Sequence, residues 1–345
     1  MNSDARYQKQ VLFGGVGAEG QKRLKESRVL LVGCGALGCT LADAMTRAGV
    51  GRIRIVDRDF VELSNLQRQC LFTERDVTDH LPKSVSAANR LRAINSDIEI
   101  ESIVADVDHT NIRSFSDEAD LILDGTDNFE VRYLINDLSL ERSIPWIFTG
   151  CTGSHGQMMP IFPGTSACLR CLMQNPPPPG STETCDTAGV LGPAIGVIAS
   201  LQASMALKIL TGHQADVPRK LTIIDVWDLT FRQMDISQLR DTTTCPACDN
   251  GERLWLDGSQ SAGSTVLCGR NAVQVAPPEK TQLSLEELAV RLESAGSVTS
   301  NPFLVRVAVA DSELVVTVFP DGRAIVKGTE DPSVARAIYS RYIGA

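Results

Sequence analysis

Three sets of residues have the types and spacing to do chemistry. In the run DFVELSNLQRQ, Asp59 to Gln69, the side chains of Asp59, Ser64, Asn65, Gln67 and Arg68 crowd polar groups and a fixed positive charge together, and Lys83 follows in HLPKSV. Such a cluster suits a triphosphate under attack at its α-phosphorus, because donors and cations hold the charge that builds on the transferring and leaving oxygens. A dinucleotide, with two phosphates, does not need it. The second set is DGTDN, which carries Asp124, Asp127 and Asn128; an aspartate there can hold magnesium. The third is the pair CLRC and CPAC, in which Cys168, Cys171, Cys245 and Cys248 can present four thiolates to one tetrahedral zinc. Four thiolates leave no open position for water, so that zinc would be structural, tying together distant parts of the chain. Two redox dithiols, or buried small residues, are the plainer alternatives.

These groups need elements to position them. RVLLVG (28–33) reads as a buried strand, Ala36 to Ala48 as a helix, and RIRIVD (52–57) as a second strand, which makes a βαβ unit. GCGALG, with Gly33, Gly35, Ala36 and Gly38, lies at the strand-to-helix turn, and Asp57 ends the next strand where a ribose-binding acid is expected. Taken alone that pattern favours NAD. Further strands are expected at 98–105, 120–125 and 145–150, with helices at 82–94 and 129–142 between them. The fold class is therefore α/β, a Rossmann-like, doubly wound and mostly parallel sheet. DGTDN falls just past a strand, at the carboxyl edge where ligands of such sheets bind. Residues 174–189, rich in proline and small polar residues, read as an extended loop. We expect a first domain over 1–250 that includes the zinc extension, a linker over 251–264, and a small α+β domain over 265–345 with helices at 284–294 and from Asp331.

With 345 residues and 43% hydrophobic content, the chain can bury a full core. A net charge of -9 gives no basic footprint for nucleic acid. The start, MNSDARYQKQ, lacks the apolar core of a secretion signal. The longest apolar stretch, 188–210, contains Gly192-Pro193, Gln202, Ser204 and Lys208, and suits a buried helix better than a membrane span. A cytoplasmic protein with no membrane partner is expected, in which ten cysteines stay reduced.

RYQKQVL, GCGALG, DRDFVELSNLQRQ, DGTDN, the two CxxC pairs and TCDTAGVLGP resemble, in the same order, the ThiF/MoeB/HesA-like adenylyltransferases, relatives of the ubiquitin-activating enzymes. The resemblance covers roughly the first 250 residues. It implies ATP and magnesium as cofactors, and adenylation of the C-terminal glycine of a ubiquitin-like sulfur carrier of the ThiS or MoaD type ending in Gly-Gly, toward thiamine or molybdenum cofactor. Matched by motif, Asp57 would bind ribose, Asn65, Arg68 and Lys83 the phosphates, and Asp127 magnesium. Gly33, Gly35, Ala36, Gly38, Asp59, Ser64, Gln67 and Asn128 would complete the nucleotide site. The family usually has arginine where this chain has Lys9, reaching across a homodimer to the neighbour's ATP; lysine keeps the charge and loses the fork. Cys185 matches a position that in some members links covalently to the carrier and in others is dispensable, and both readings stand.

Cys34, Cys39, Cys70 and Cys151 read as small buried residues, His155 as structural, and Cys268 as a strand residue. The last domain lacks the loop of a sulfur-donating rhodanese, so sulfur would come from a separate persulfide-bearing protein. A ferredoxin-like or ubiquitin-fold module is expected there. A non-catalytic scaffold for a ubiquitin-like protein and an NAD-dependent oxidoreductase are the competing functions; the combination of Arg68, Lys83 and Asp127 argues against the first, and the second does not account for the phosphate cluster and has no obvious hydride-transfer site.

Overall fold

The computed structural model describes residues 3–177, 185–260, 265–267, 271–275, 277 and 282–344. It divides into two units, Met1–Ser261 and Ala262–Ala345.

The longer elements of the first unit are, in chain order, α1 (Ser3–Val11), α2 (Gly17–Glu26), β1 (Arg28–Val32), α3 (Ala36–Ala48), β2 (Arg52–Asp57), α4 (Lys83–Ile94), β3 (Glu99–Val104), β4 (Leu121–Asp124), α5 (Phe129–Arg142), β5 (Trp146–Thr152), β6 (His155–Ile161), α6 (Gly192–Leu210), β7 (Lys220–Asp225) and β8 (Thr230–Asp235). One sheet runs β3-β2-β1-β4-β5-β6-β7-β8. Its first five strands are parallel and the rest add on antiparallel. Val29 to Val32 of β1 are all buried, as a parallel strand covered on both faces requires. Alternation along the strand sends Val29 and Leu31 into a core with α3, α4 and α6, and Leu30 and Val32 into a second core with α5 and the cysteine cluster. Helix α6 is long and apolar enough to cross a membrane, and half of its most apolar stretch is buried in the first of these cores.

The expected strands and helices of the parallel half are present. The antiparallel extension β6 to β8 was not foreseen, because its strands mix polar and apolar residues without a clean period. The expected linker needs correction over its described part. Trp255 and Leu256 are buried, the Trp255 N–H donates to the Asp137 carboxylate at 3.0 Å, and the Trp255 ring lies 4.5 Å from that of Tyr133. These contacts make the segment part of the second core.

The second unit contains β9 (Thr265–Leu267), β10 (Ala272–Val275), α7 (Leu285–Leu292), β11 (Gly296–Asn301), β12 (Leu304–Val309), β13 (Val315–Val318), β14 (Ala324–Lys327) and α8 (Pro332–Tyr342). It is α+β, with its own core and a sheet ordered β11-β12-β13-β14-β10-β9. Every pairing among its described strands is antiparallel. Ferredoxin-like and ubiquitin folds each contain a parallel pair of neighbouring strands, so neither expectation holds. Cys268 lies outside the described residues.

Candidate functional site

Strand order reverses between β1 and β4, and the ground beyond their carboxyl ends is the switch point at which doubly wound sheets take their ligands. The two turns that leave these strands approach each other closely through their backbones. Gly33 adopts φ +85°, and a Cβ there would meet the Gly125 carbonyl oxygen at 2.7 Å. A Cβ at Gly38 would strike the Gly33 carbonyl. Only glycine lets these turns close, and closure aims the first turn of α3 at the switch point. Gly35 occupies its N-cap and Ala36 begins the helix, so no side chain caps its free N–H groups, which makes this end suited to anionic oxygens.

Asp57 organises the next layer. Its carboxylate accepts from the Cys34 N–H at 2.6 Å and from the Asp59 N–H at 2.7 Å, fixing the glycine turn to the end of β2. Burial pushes this carboxyl up, against the pull of Lys83 and the two N–H groups. Lys83 starts α4. Its N–H donates to the Asp59 carbonyl at 2.8 Å, and its Nζ lies 3.2 Å from the Asp59 carboxylate, with the residue only 4% exposed. Arg58 approaches the other oxygen of Asp59 at 3.8 Å and bonds Asp106 at 2.9 Å.

The polar run that follows divides its work. Buried Asn65 accepts from the Glu62 N–H at 3.1 Å and so shapes the turn. Ser64 and Gln67 are exposed, whereas Arg68 is half-buried and donates to the Ser64 carbonyl at 2.9 Å. The Gln67 carbonyl lies 3.2 Å from a Cβ built on Gly192, so the run packs against the head of α6. Gln69, which sequence reasoning passed over, is 4% exposed; its Nε2 lies 4.0 Å from a Cβ built on Gly35 and its Oε1 has no hydrogen-bond partner. Nothing in residue type separates Gln69 from Gln67. The turn decides which one faces the glycine loop.

In DGTDN, Asp124 is fully buried and structural. One oxygen accepts from the Thr126 N–H and hydroxyl at 2.9 and 2.7 Å, and the other from Arg132 Nε at 3.1 Å and the Thr149 N–H at 3.2 Å. Arg132, unforeseen from sequence, also donates to the Thr126 and Thr149 carbonyls at 2.8 and 3.0 Å and thereby makes the turn rigid. Asp127 stands exposed beyond it. Asn128 caps α5, accepting from the Val131 N–H at 2.9 Å, so its oxygen serves the helix.

The four cysteines converge. Cys168 Sγ lies 3.7 Å from Cys245 Sγ and 3.8 Å from Cys171 Sγ, and Cys171 Sγ lies 3.7 Å from Cys248 Sγ. Thiolates about 2.3 Å from a shared tetrahedral zinc stand roughly 3.8 Å apart, so the donor set fits that ion. Cys34 and Cys39 are buried as expected, and contact with Cys39 together with burial pushes the Cys34 thiol well up, keeping it protonated. Cys70 is exposed and Cys151 only half-buried, which corrects that reading for both. His155 bonds Asp225 at 3.1 Å and is largely exposed. The backbone of Cys185–Ala188 forms a short helix, and the chain after it is pinned to the β5–β6 turn by Gly153 N–H to the Gly189 carbonyl, 2.9 Å, and Leu191 N–H to the Gly153 carbonyl, 2.8 Å. The Cys185 side chain lies outside the described residues.

Lys9 is exposed on α1. That helix is tied to the far end of α3: Gln10 donates to the Ala48 carbonyl at 2.9 Å, and Asn95 bonds both the Tyr7 hydroxyl, 2.8 Å, and the Thr46 carbonyl, 2.9 Å. A helix the length of α3 separates its two ends by roughly 18 Å, so Lys9 is remote from the glycine turn at the start of α3 in its own chain.

A bare helix N-terminus at the switch point of a doubly wound sheet, with an acid-held lysine beside it, defines a nucleotide-binding α/β protein. The ThiF family model matches residues 7–247, and the chain belongs to that family. It is 41% identical over 340 residues, 98% of this chain and 99% of the relative, to the sulfur carrier protein ThiS adenylyltransferase of Bacillus subtilis (strain 168). It is 37% identical over 246 residues, 71% of this chain and 89% of the relative, to the SAMP-activating enzyme E1 of Haloferax volcanii. Among solved structures, Escherichia coli MccB superposes with a TM-score of 0.61 at 23% identity, over 72% of each chain, a likeness of fold.

Proposed function

We propose that the protein is an adenylyltransferase that joins AMP to the C-terminal glycine carboxylate of a ubiquitin-like sulfur carrier, preparing it for thiocarboxylate formation in thiamine or molybdenum cofactor synthesis. The single observation that carries this reading is Lys83, a buried cation set on Asp59 beside the uncapped start of α3. The family and the B. subtilis relative supply the substrate class.

In this reading the triphosphate lies along the first turn of α3, with the ribose at Asp57. The carrier carboxylate is already ionised and needs no base. It attacks the α-phosphorus, the bond to the β-phosphate oxygen breaks, and pyrophosphate leaves; Lys83, Arg68 and the α3 N–H groups stabilise the charge gathering on those oxygens. Asp127, exposed on a rigid turn, would hold magnesium, which supplies further charge neutralisation when bound. The acyl adenylate that results is a good electrophile for sulfur from a separate persulfide-bearing donor, with Cys185 as a candidate relay.

Two features support a protein substrate and a dimer. Trp227 and Leu229, 76% and 87% exposed, form the tip of the β7–β8 hairpin at the same end of the sheet as the switch point, and Phe231 and Met234 are exposed on the edge strand β8. That apolar edge suits a folded carrier whose extended tail runs to the nucleotide. The remoteness of Lys9 from the glycine turn of its own chain fits a homodimer in which it serves the neighbour.

ATP–pyrophosphate exchange tests the proposal. Exchange that requires a carrier ending in Gly-Gly, and is lost in Asp127→Ala, is expected. Tight carrier binding without exchange would mean a scaffold, and substrate-dependent reduction of NAD an oxidoreductase.

A further inference from the structure

We infer that Gln69 is a substrate-contacting residue whose buried amide makes its hydrogen bonds to ATP, donating to a phosphate oxygen and accepting from a ribose hydroxyl. The inference rests on the adenylation reading and adds to it a residue outside the expected set.

A primary amide offers two N–H donors and one oxygen acceptor, and burial without partners is costly. Gln69 is 4% exposed and its Oε1 is unpartnered, although leucine or methionine would fill the same volume without leaving a polar atom unpaired. Its place is not adjustable. The Gln69 N–H donates to the Asn65 carbonyl at 2.9 Å, its own carbonyl accepts from the Phe72 N–H at 3.2 Å, and Leu71 and Phe72 beside it are buried. The turn thus holds the amide next to Gly35, the N-cap of α3. Anionic oxygens collect at that helix start, while Asp57, one bond away through the Cys34 N–H, marks the ribose side. An amide beside that helix start can donate an N–H to a phosphate oxygen and accept from a hydroxyl of the same ligand. The two amide ends are interchangeable by rotation, so a ligand offering both satisfies either orientation.

A buried polar atom kept for a ligand predicts that stability and binding separate. Gln69→Met should leave the melting temperature of the unliganded protein unchanged or raise it, because the unpaired amide is gone. The same variant should raise KM for ATP in pyrophosphate exchange on the order of 10- to 100-fold, the worth of one hydrogen bond to a charged group, and shrink the thermal shift given by ATP. Gln69→Glu keeps the shape and sets a negative charge against the phosphates; it should weaken ATP at least as much, and it carries the test if the methionine variant does not fold. A lower melting temperature with KM unchanged would make Gln69 structural and overturn the inference. If the wild type shows neither an ATP shift nor exchange, the adenylation reading itself fails; if it shows both and the variants match it, only the role of Gln69 fails.

Discussion

Lys83 Nζ and the Asp59 carboxylate stand 3.2 Å apart, the lysine side chain 5% exposed and the aspartate 16%, so the fold itself holds this buried cation in place. Lys83→Met keeps most of the stem and removes the charge. We expect a drop in exchange of roughly 100-fold or more, from lost stabilisation of the leaving oxygens. Stability should fall by about 1–3 kcal/mol, since Asp59 loses a buried partner. Urea titration and exchange kinetics on one preparation read both effects.

Asp127 presents the opposite case. It is exposed beyond a turn that Asp124 and Arg132 hold rigid, so Asp127→Ala should shift stability by less than about 0.5 kcal/mol. Exchange should nevertheless fall by roughly 100-fold or more at saturating magnesium. A large stability loss in this variant would show that the side chain works in the fold.

The cysteine cluster predicts one zinc per chain by metal analysis. Cys168→Ser or Cys245→Ser should lose it and melt on the order of 5–10 °C lower, because the ion links segments that are distant in sequence. Chelation of the wild type should give the same shift. Zinc retained in both variants would refute the four-thiolate assignment.

Asp137 gives a pH signature. Burial raises its carboxyl to about 6, against the Trp255 N–H, Arg170 and Leu256 N–H, while the unfolded chain titrates it near 4. The stability it lends is complete below the unfolded value and is lost as pH rises toward 6, about 3 kcal/mol in all. Asp137→Asn should therefore gain on the wild type between pH 4.5 and 7.5, measured by urea unfolding at each pH. A difference that does not change with pH would contradict this.

The hairpin tip should matter to the carrier and to little else. Trp227→Ala and Leu229→Ser remove exposed apolar side chains, so the melting temperature and ATP binding should hold. Carrier affinity should weaken by about tenfold or more, as expected when an aromatic anchor is cut away. Calorimetric titration of carrier into each variant measures it, and unchanged affinity would move the docking surface elsewhere.

Much of the nucleotide half was legible because its signals are local. The buried run at β1, the glycines after it and the acid ending β2 each follow from short-range rules of strand, turn and helix start. The CxxC spacing likewise announced a ligand set. The antiparallel strands β6 to β8 lacked a clean period, and Trp255 and Leu256 looked like part of a linker because nothing nearby in sequence shows the carboxylate of Asp137 that receives them. Arg132 and Asp124 were equally opaque, since a buried ion pair is recognisable only when both partners are seen to lose their water together.

Sequence alone determined the class of fold, the family, and the chemical inventory: a glycine turn, a cluster of cations and amides, an exposed carboxylate and four thiols with metal-ligand spacing. Residue type and short spacing carry that information, because backbone sterics act over a few residues and each CxxC pair is itself a local ligand pattern. Tertiary structure decided which members of the inventory meet. It set Lys83 on Asp59, turned Gln69 rather than Gln67 toward the glycine loop, gave Asn128 to a helix cap, and brought Cys168 within 3.7 Å of Cys245. Those choices depend on burial and chain path over long separations, and a linear pattern does not encode distance.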